Sequence, residues 1–326
     1  MESECDIAIV GGGPIGIWGL YHARLRQVRA VLFDSLPELG GQLTAMYPEK
    51  DIFDVAGFPR VLARELVAQL VTQSVDDAKR VRAGEKVLSL TAVGEAWRIE
   101  TTLGQYLAKA VVIATGLGAF RPKLLGVPGE EKFEGLGVSY FVKSLQALAG
   151  KRLVVVGGGD SAVDWANTFR RHGALTLVHR LERFQAHPAS VQEMREGGEV
   201  EILMPWEVTA LHGGDRLEAV TVRALDGSQE RRIDCDELLV CIGFNADLGP
   251  LKAWGLTLSG GKVEVDREMR TNQPGIFAAG DVVTYPGKQN LIAIGFAEIA
   301  IAIRSAIEYA FPGVKSGLTH SSSRGF

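Results

Sequence analysis

A chain of 326 residues, 46% hydrophobic and 23% charged, has the length of about two domains and the make-up of an ordinary globular enzyme. Its formal net charge of −4 excludes the strongly basic surface that nucleic acid or an anionic membrane would require. The three scattered cysteines, Cys5, Cys235 and Cys241, include no C-x-x-C pair, so they fit a reducing compartment and make the cytoplasm the expected location.

The opening Met1-Glu2-Ser3-Glu4-Cys5-Asp6 lacks the basic start and apolar core of a signal peptide. An apolar strand, Ile7-Ala8-Ile9-Val10, is followed by a glycine cluster and a helical stretch from Pro14 to about Arg26. A second strand, Ala30 to Phe33, ends at Asp34. The runs Val87–Val93, Trp97–Thr101 and Leu107–Ala114, separated by glycine turns at Gly94 and Gly104, predict an antiparallel meander. The pattern then recurs. Leu153-Val154-Val155-Val156 leads into a second glycine cluster and a helix through about Arg171. The strand Leu175–Val178 ends at His179-Arg180. Val208–Leu211, Leu217–Arg223 and Arg231–Val240 form another run of strands. Each copy closes on an apolar strand and a glycine, at Gly116 and at Gly243.

Strand, glycine turn, helix and strand make the βαβ unit of a parallel sheet. The expected fold is therefore α/β, with two Rossmann-like (three-layer ββα) dinucleotide-binding domains carrying β-meander insertions. The residues beyond Gly243 are too few for a third domain and are expected to return to the first. This places one domain at 1–118 with 247–326 and the other at 119–246. The longest apolar stretch, Leu291 to Ile303, contains Glu298 and is too short to span a bilayer. A buried helix is expected there.

The first glycine cluster is Gly11-x-Gly13-x-x-Gly16. Gly11 permits the tight turn, Gly13 lets the backbone approach a pyrophosphate, and Gly16 lets helix and strand pack closely. The phosphates would sit at a helix N-terminus, where free N–H groups and the dipole favour negative charge. Asp34, at the next strand end, suits a ribose diol. The second cluster is Gly157-x-Gly159-x-x-Ala162. There the acid is absent, and His179-Arg180 with nearby Arg183 takes its place. A cation suits the 2′-phosphate of NADP, which a carboxylate would repel. FAD at the first turn and NADPH at the second is the economical assignment.

Over essentially its whole length the chain resembles the thioredoxin-reductase-like flavoproteins, and within them the ferredoxin/flavodoxin–NADP(+) reductases of that fold. The resemblance is carried by Gly40-Gly41-Gln42-Leu43, Tyr47-Pro48-Glu49-Lys50, the segment Asp54 to Pro59, Ala114-Thr115-Gly116, Tyr140-Phe141-Val142-Lys143, Gly157 to Ala166 and Gly275 to Asp281. It implies that Asp34 holds the adenosine ribose of FAD, where the family often has Glu. It places Gln42 near the flavin and its phosphates, Val87 against the adenine through its backbone, and Phe120 beside the flavin at the linker. Asp281 would bind the ribityl chain and Tyr47 would stack on one flavin face. In the tail Thr319-His320-Ser321-Ser322, His320 would cover the other face and the Ser322 hydroxyl would approach the flavin.

Thioredoxin reductases carry a C-x-x-C where this chain has Phe141 and Ser144, so dithiol exchange is not expected here. Cys241, in an apolar strand, reads as inert core. Cys235 is flanked by Asp234 and Asp236, which disfavour a thiolate. The family usually has two further arginines where this chain has Leu181 and Gln185, which leaves NADH use open beside NADPH.

The implied activity is electron transfer from NADPH through FAD to ferredoxin or flavodoxin, with no side-chain general base and no metal. Rotation of one domain against the other would bring NADPH to the flavin. An acidic acceptor would need a basic patch, for which Arg24, Arg26 and Arg29, or Lys50 with its neighbours, are the candidates. The resemblance also implies a homodimer. A thioredoxin- or bacilliredoxin-type disulfide reductase and a non-enzymatic flavin-binding regulator are the competing functions.

Overall fold

The computed structural model describes residues 3–247 and 249–313. The chain divides into two compact units. One takes Met1–Ala119 with Ala246–Phe326, and the other takes Phe120–Asn245.

The first unit is built on a sheet in the strand order Val81–Ala83, Ala30–Asp34, Ser3–Val10, Gln105–Ile113, Ala96–Thr101, Val87–Val93. Ser3–Val10 pairs in parallel with Ala30–Asp34 on one side and Gln105–Ile113 on the other. The other edge of Gln105–Ile113 is shared. Its first half takes the antiparallel strand Ala96–Thr101, with Trp97 opposite Ala108. Its second half takes Ile276–Ala278 in parallel, with Ile276 opposite Val111. The segment that follows the second unit thus completes the first unit's sheet.

Side-chain alternation gives the sheet two buried faces. Ile7, Ile9, Leu32 and Val112 point to a core shared with the helices Pro14–Leu25, Ala63–Ser74 and Ile292–Ala310. Ala8, Val10, Phe33, Val111 and Ile113 point to a second core with Trp254, Val263 and Val283. That opposite layer holds the small sheet Leu258–Ser259, Lys262–Glu264, Val283–Thr284. Helices, parallel sheet and an all-β layer make three tiers, as expected. The apolar stretch around Leu291 does form a helix with Glu298 buried in it. Among the described residues no helix is long and apolar enough to cross a membrane.

The second unit has a parallel sheet in the order Val138–Ser139, Glu237–Val240, Leu153–Val156, Leu175–Val178, Val200–Leu203. An antiparallel meander, Trp206–His212, Ala219–Ala224, Glu230–Asp234, packs with it around Val154, Val156, Val220, Val222 and Leu238. Here one expectation needs correction. The run Arg231–Val240 is two strands, because the chain crosses from meander to parallel sheet at Cys235-Asp236. The crossing is pinned by Arg152, whose N–H and Nη2 each reach the Asp236 carboxylate at 2.8 Å, while the Asp236 N–H donates to the Arg152 carbonyl at 2.9 Å.

Candidate functional site

In the first unit the glycine turn follows the central strand. The Gly11 N–H donates to the Phe33 carbonyl at 2.8 Å, and the Ala114 N–H donates to the Val10 carbonyl at 2.7 Å. Gly11 has φ +114°, and a Cβ there would overlap the Ala114 carbonyl, so only glycine fits. A Cβ at Gly16 would overlap the Gly11 carbonyl, which shows how tightly helix Pro14–Leu25 abuts the turn. At Gly13, by contrast, a Cβ would meet nothing within 4 Å. Open space at the middle glycine, between two filled positions at a helix start, is the cradle a pyrophosphate needs.

Asp34 ends its strand beside this turn. Its Oδ2 accepts the Gly12 N–H, and its Oδ1 accepts the Leu36 N–H at 2.7 Å. Burial pushes its pKa up, while these two amide bonds oppose the shift. The Glu85 N–H donates to the Asp34 carbonyl at 2.8 Å, which brings the start of strand Val87–Val93 to this edge, with Val87 buried.

Gln42 opens the short helix Gln42–Ala45, and its Oε1 accepts the Tyr47 hydroxyl at 3.2 Å. Its Nε2 lies 3.6 Å from where a Gly116 Cβ would stand. Burial raises the Tyr47 pKa, and the charge of Asp281 raises it further, so Asp281 lies on the Tyr47 side of the unit. Gln42 is thus in contact with Tyr47 and close to Gly116, and Tyr47 lies within electrostatic reach of Asp281. The buried Thr115 Oγ1, at the strand end beside Gly116, has no hydrogen-bond partner among the described residues. These features fit FAD. The side chain of Phe120, in strand Ala119–Pro122, and the residues His320 and Ser322 lie outside what the structure describes.

One group, beside the Gly280-Asp281 turn, escapes the sequence reading. Glu298 accepts the Gly280 N–H at 2.8 Å and the Tyr285 hydroxyl at 2.5 Å, and pairs with Lys288 at 2.7 Å. The only signal was a carboxylate inside an apolar run.

In the second unit the same turn recurs on different chemistry. Gly157 has φ +143°, and a Cβ there would overlap the Cys241 carbonyl. Gly159 is open, like Gly13, and Ala162 is buried in helix Asp160–Phe169. A Cβ on Gly158 would strike the His179 ring, as one on Gly12 would strike Asp34. His179 thus occupies the place the acid holds in the first unit. It stacks on Phe184, with centroids 5.5 Å apart, and shares a 3.1 Å hydrogen bond between Nε2 and the Arg183 carbonyl. Burial lowers its pKa, which favours the neutral ring, while the hydrogen bond to Arg183 opposes the shift. The Gly158 carbonyl accepts N–H bonds from Gln185 at 2.8 Å and Ala186 at 3.2 Å, folding the loop back onto the turn. Arg180 and Arg183 stand exposed on that loop, as do Leu181 and Gln185.

At the two positions where a dithiol would sit, Phe141 stacks on Phe244 with centroids 5.2 Å apart, and the Ser144 hydroxyl accepts the Ala147 N–H at 3.3 Å. One cysteine reading is corrected and another gains a larger cause. Cys241 lies past the end of its strand and is half-buried, not core. Cys235 is inert chiefly through burial, which pushes its pKa up to about 12; Asp236 and Asp234 add less. Cys5 is likewise buried and raised to about 12. Iodoacetamide at about pH 8 should therefore leave Cys5 and Cys235 unlabelled in the native protein and label both in urea, since only the thiolate reacts. Rapid native labelling of Cys235, read by mass spectrometry, would contradict this burial.

The candidate basic patch is largely engaged. Arg29 pairs with Asp6 at 3.3 Å, Arg24 donates to the Gln73 carbonyl at 3.1 Å, and Arg26 donates to the His22 carbonyl at 3.1 Å.

Residues 5–305 match the family of pyridine nucleotide-disulphide oxidoreductases. The chain is 45% identical to a ferredoxin–NADP reductase of Thermus thermophilus, over 98% of this chain and 97% of that one. It is 41% identical to a ferredoxin–NADP reductase of Halalkalibacterium halodurans, over 99% and 98%. Among solved structures it resembles the thioredoxin reductase of T. acidophilum, with TM-score 0.78 and 28% identity over 95% of this chain and 99% of that one.

Proposed function

Because the chain belongs to the pyridine nucleotide-disulphide oxidoreductase family and aligns end to end with ferredoxin–NADP reductases, we propose that it is an FAD-dependent ferredoxin–NADP(+) reductase. The reading rests above all on the repeated glycine turn, open at Gly13 and Gly159, with acidic Asp34 beside the first and Arg180 beside the second. FAD is assigned to residues 1–118 with 247–326, and NADPH to residues 119–246.

The chemistry FAD supplies when bound is the exchange of a hydride from NADPH for single electrons, which a one-electron carrier requires. The side chains bind and orient. Gly11, Gly13 and Gly16 receive the FAD pyrophosphate, and Asp34 receives the adenosine ribose. The Val87 backbone meets the adenine. Gln42 lies by the flavin and phosphates, Tyr47 stacks on one face, and Asp281 takes the ribityl chain. Phe120 lies by the flavin at the linker, and His320 with Ser322 approaches from the tail. Gly157, Gly159 and Ala162 receive the NADPH pyrophosphate, and Arg180 with Arg183 receives its 2′-phosphate. No general base is assigned.

Ferredoxin or flavodoxin is the acceptor in this reading, and the form is a cytoplasmic homodimer. Ala293, Ala297 and Ile301, exposed along helix Ile292–Ala310, support a subunit contact.

Stopped-flow mixing with NADPH should bleach the bound flavin rapidly. Cytochrome c should then be reduced only when ferredoxin or flavodoxin is added. Protein that stays colourless and takes up no FAD rejects the reading. Turnover of a protein disulfide would move the chain to the disulfide reductases, and slow bleaching without any acceptor turnover would leave a flavin-binding regulator.

A further inference from the structure

The geometry points to Glu298, acting with Lys288 and Tyr285, as a positioning residue for the flavin, holding the Gly280-Asp281 turn from its buried side; this rests on the FAD assignment above. Glu298 lies in the second turn of the helix Ile292–Ala310 and is only 3% exposed. Both its oxygens are fully used. Oε2 accepts the Gly280 N–H at 2.8 Å and Lys288 Nζ at 2.9 Å. Oε1 accepts the Tyr285 hydroxyl at 2.5 Å and Lys288 Nζ at 2.7 Å. The Lys288 side chain is itself buried.

A buried ion pair is a poor device for stability alone. Apolar residues of similar volume often serve as well or better, and the surrounding helix is built of isoleucine and alanine. What the pair holds explains it better. The Ala279 N–H still bonds to strand Gln105–Ile113, at 2.9 Å to the Ile113 carbonyl. The chain then leaves the sheet, and the Gly280 carbonyl accepts the Val283 N–H at 3.2 Å, closing a turn over Asp281. Glu298 fixes the entry amide of that turn. Close packing adds to the constraint. A Cβ on Gly295 would overlap Ile15 and stand 3.5 Å from the Gly280 Cα. Helix, turn and the start of the first helix therefore meet with no slack. Asp281 emerges on the side where its charge acts on Tyr47. Movement of the Gly280 amide would move the Asp281 carboxylate relative to Tyr47 and Gln42.

The test uses the full chain stripped of FAD, comparing wild type, Glu298→Ala, the double variant Glu298→Gln/Lys288→Met, and Tyr285→Phe. The double variant keeps an acceptor for the Gly280 N–H while removing both buried charges. Three quantities are read: the thermal midpoint of the apoprotein, the FAD dissociation constant by fluorescence quenching, and the visible circular dichroism of bound FAD. Glu298→Ala should weaken FAD binding by about tenfold or more, the cost of one lost charge-assisted hydrogen bond, and alter the visible dichroism. The double variant should recover affinity to within about threefold of wild type, because the clamp is restored without an orphaned charge. Affinity and dichroism unchanged in a folded Glu298→Ala protein, or altered only in step with the thermal midpoint, would overturn the inference. If Glu298→Ala does not fold, Tyr285→Phe decides: a changed visible dichroism supports the clamp and an unchanged one overturns it. A wild-type chain that binds no FAD would fail the functional reading instead.

Discussion

Gly13→Ala should leave the polypeptide folded and weaken FAD binding by about 10- to 100-fold, the range of one or two hydrogen bonds to a charged group. The backbone at Gly13 is extended, with φ −69° and ψ 179°, which any residue adopts. The new methyl would meet no protein atom within 4 Å. It would fill only the space assigned to the pyrophosphate. Gly16→Ala should behave differently. Its Cβ would overlap the Gly11 carbonyl, so strand and helix must separate. Overpacking of that kind costs about 1–3 kcal/mol of stability. Urea unfolding of the apoproteins and fluorescence titration with FAD separate the two effects. A Gly13→Ala protein that binds FAD as wild type does would remove the pyrophosphate from this turn.

Arg180→Ala with Arg183→Ala should lower kcat/KM for NADPH by about 100-fold or more and change the value for NADH by less than about threefold. Three observations make the discrimination rest on these two side chains. His179, stacked on Phe184, fills the acid's place, so no carboxylate is there to repel a 2′-phosphate. The Gln185 and Ala186 amides tie the loop to Gly158, which sets where the arginines stand. Leu181 and Gln185 offer no cation of their own. Each single variant should lie between wild type and the double. Steady-state kinetics with both coenzymes is the check. Equal losses with NADPH and NADH would mean the arginines hold the loop and do not read the phosphate.

Much of this architecture was legible because its signals are local. A β-rich run, a glycine fingerprint and an apolar helix each sit within a dozen or so residues, and the two turns fell where that pattern put them. The meander was legible for the same reason, through Gly94 and Gly104. Gln42, Tyr47 and Asp281 were visible only by resemblance, since no periodicity singles them out; the structure shows the Tyr47–Gln42 hydrogen bond and an electrostatic effect of Asp281 on Tyr47. Other features depend on partners far along the chain. The break at Cys235-Asp236 is set by Arg152, more than eighty residues earlier. The helices Ala63–Ser74 and Pro188–Gly197 went unread, the second despite a proline at its first position. Glu298 was legible only as a carboxylate inside an apolar stretch, since nothing local marks Lys288 and Tyr285 as its partners. The partners of the basic candidates were hidden in the same way, because Asp6, which pairs with Arg29, and the Gln73 carbonyl, which accepts from Arg24, come from other elements.

The divided edge of strand Gln105–Ile113 has a bearing on how the polypeptide is made. As the chain leaves the ribosome, Val111–Ile113 has emerged long before its neighbour Ile276–Ala278 exists. The contiguous second unit has every one of its strands by then and is able to finish first. The first unit must wait, with an unpaired backbone edge open to wrong partners, until the last stretch arrives to close it. Synthesis that stalls in between would strand a half-built sheet beside a finished neighbour, so the interval between those two strands is when this protein is most exposed to aggregation.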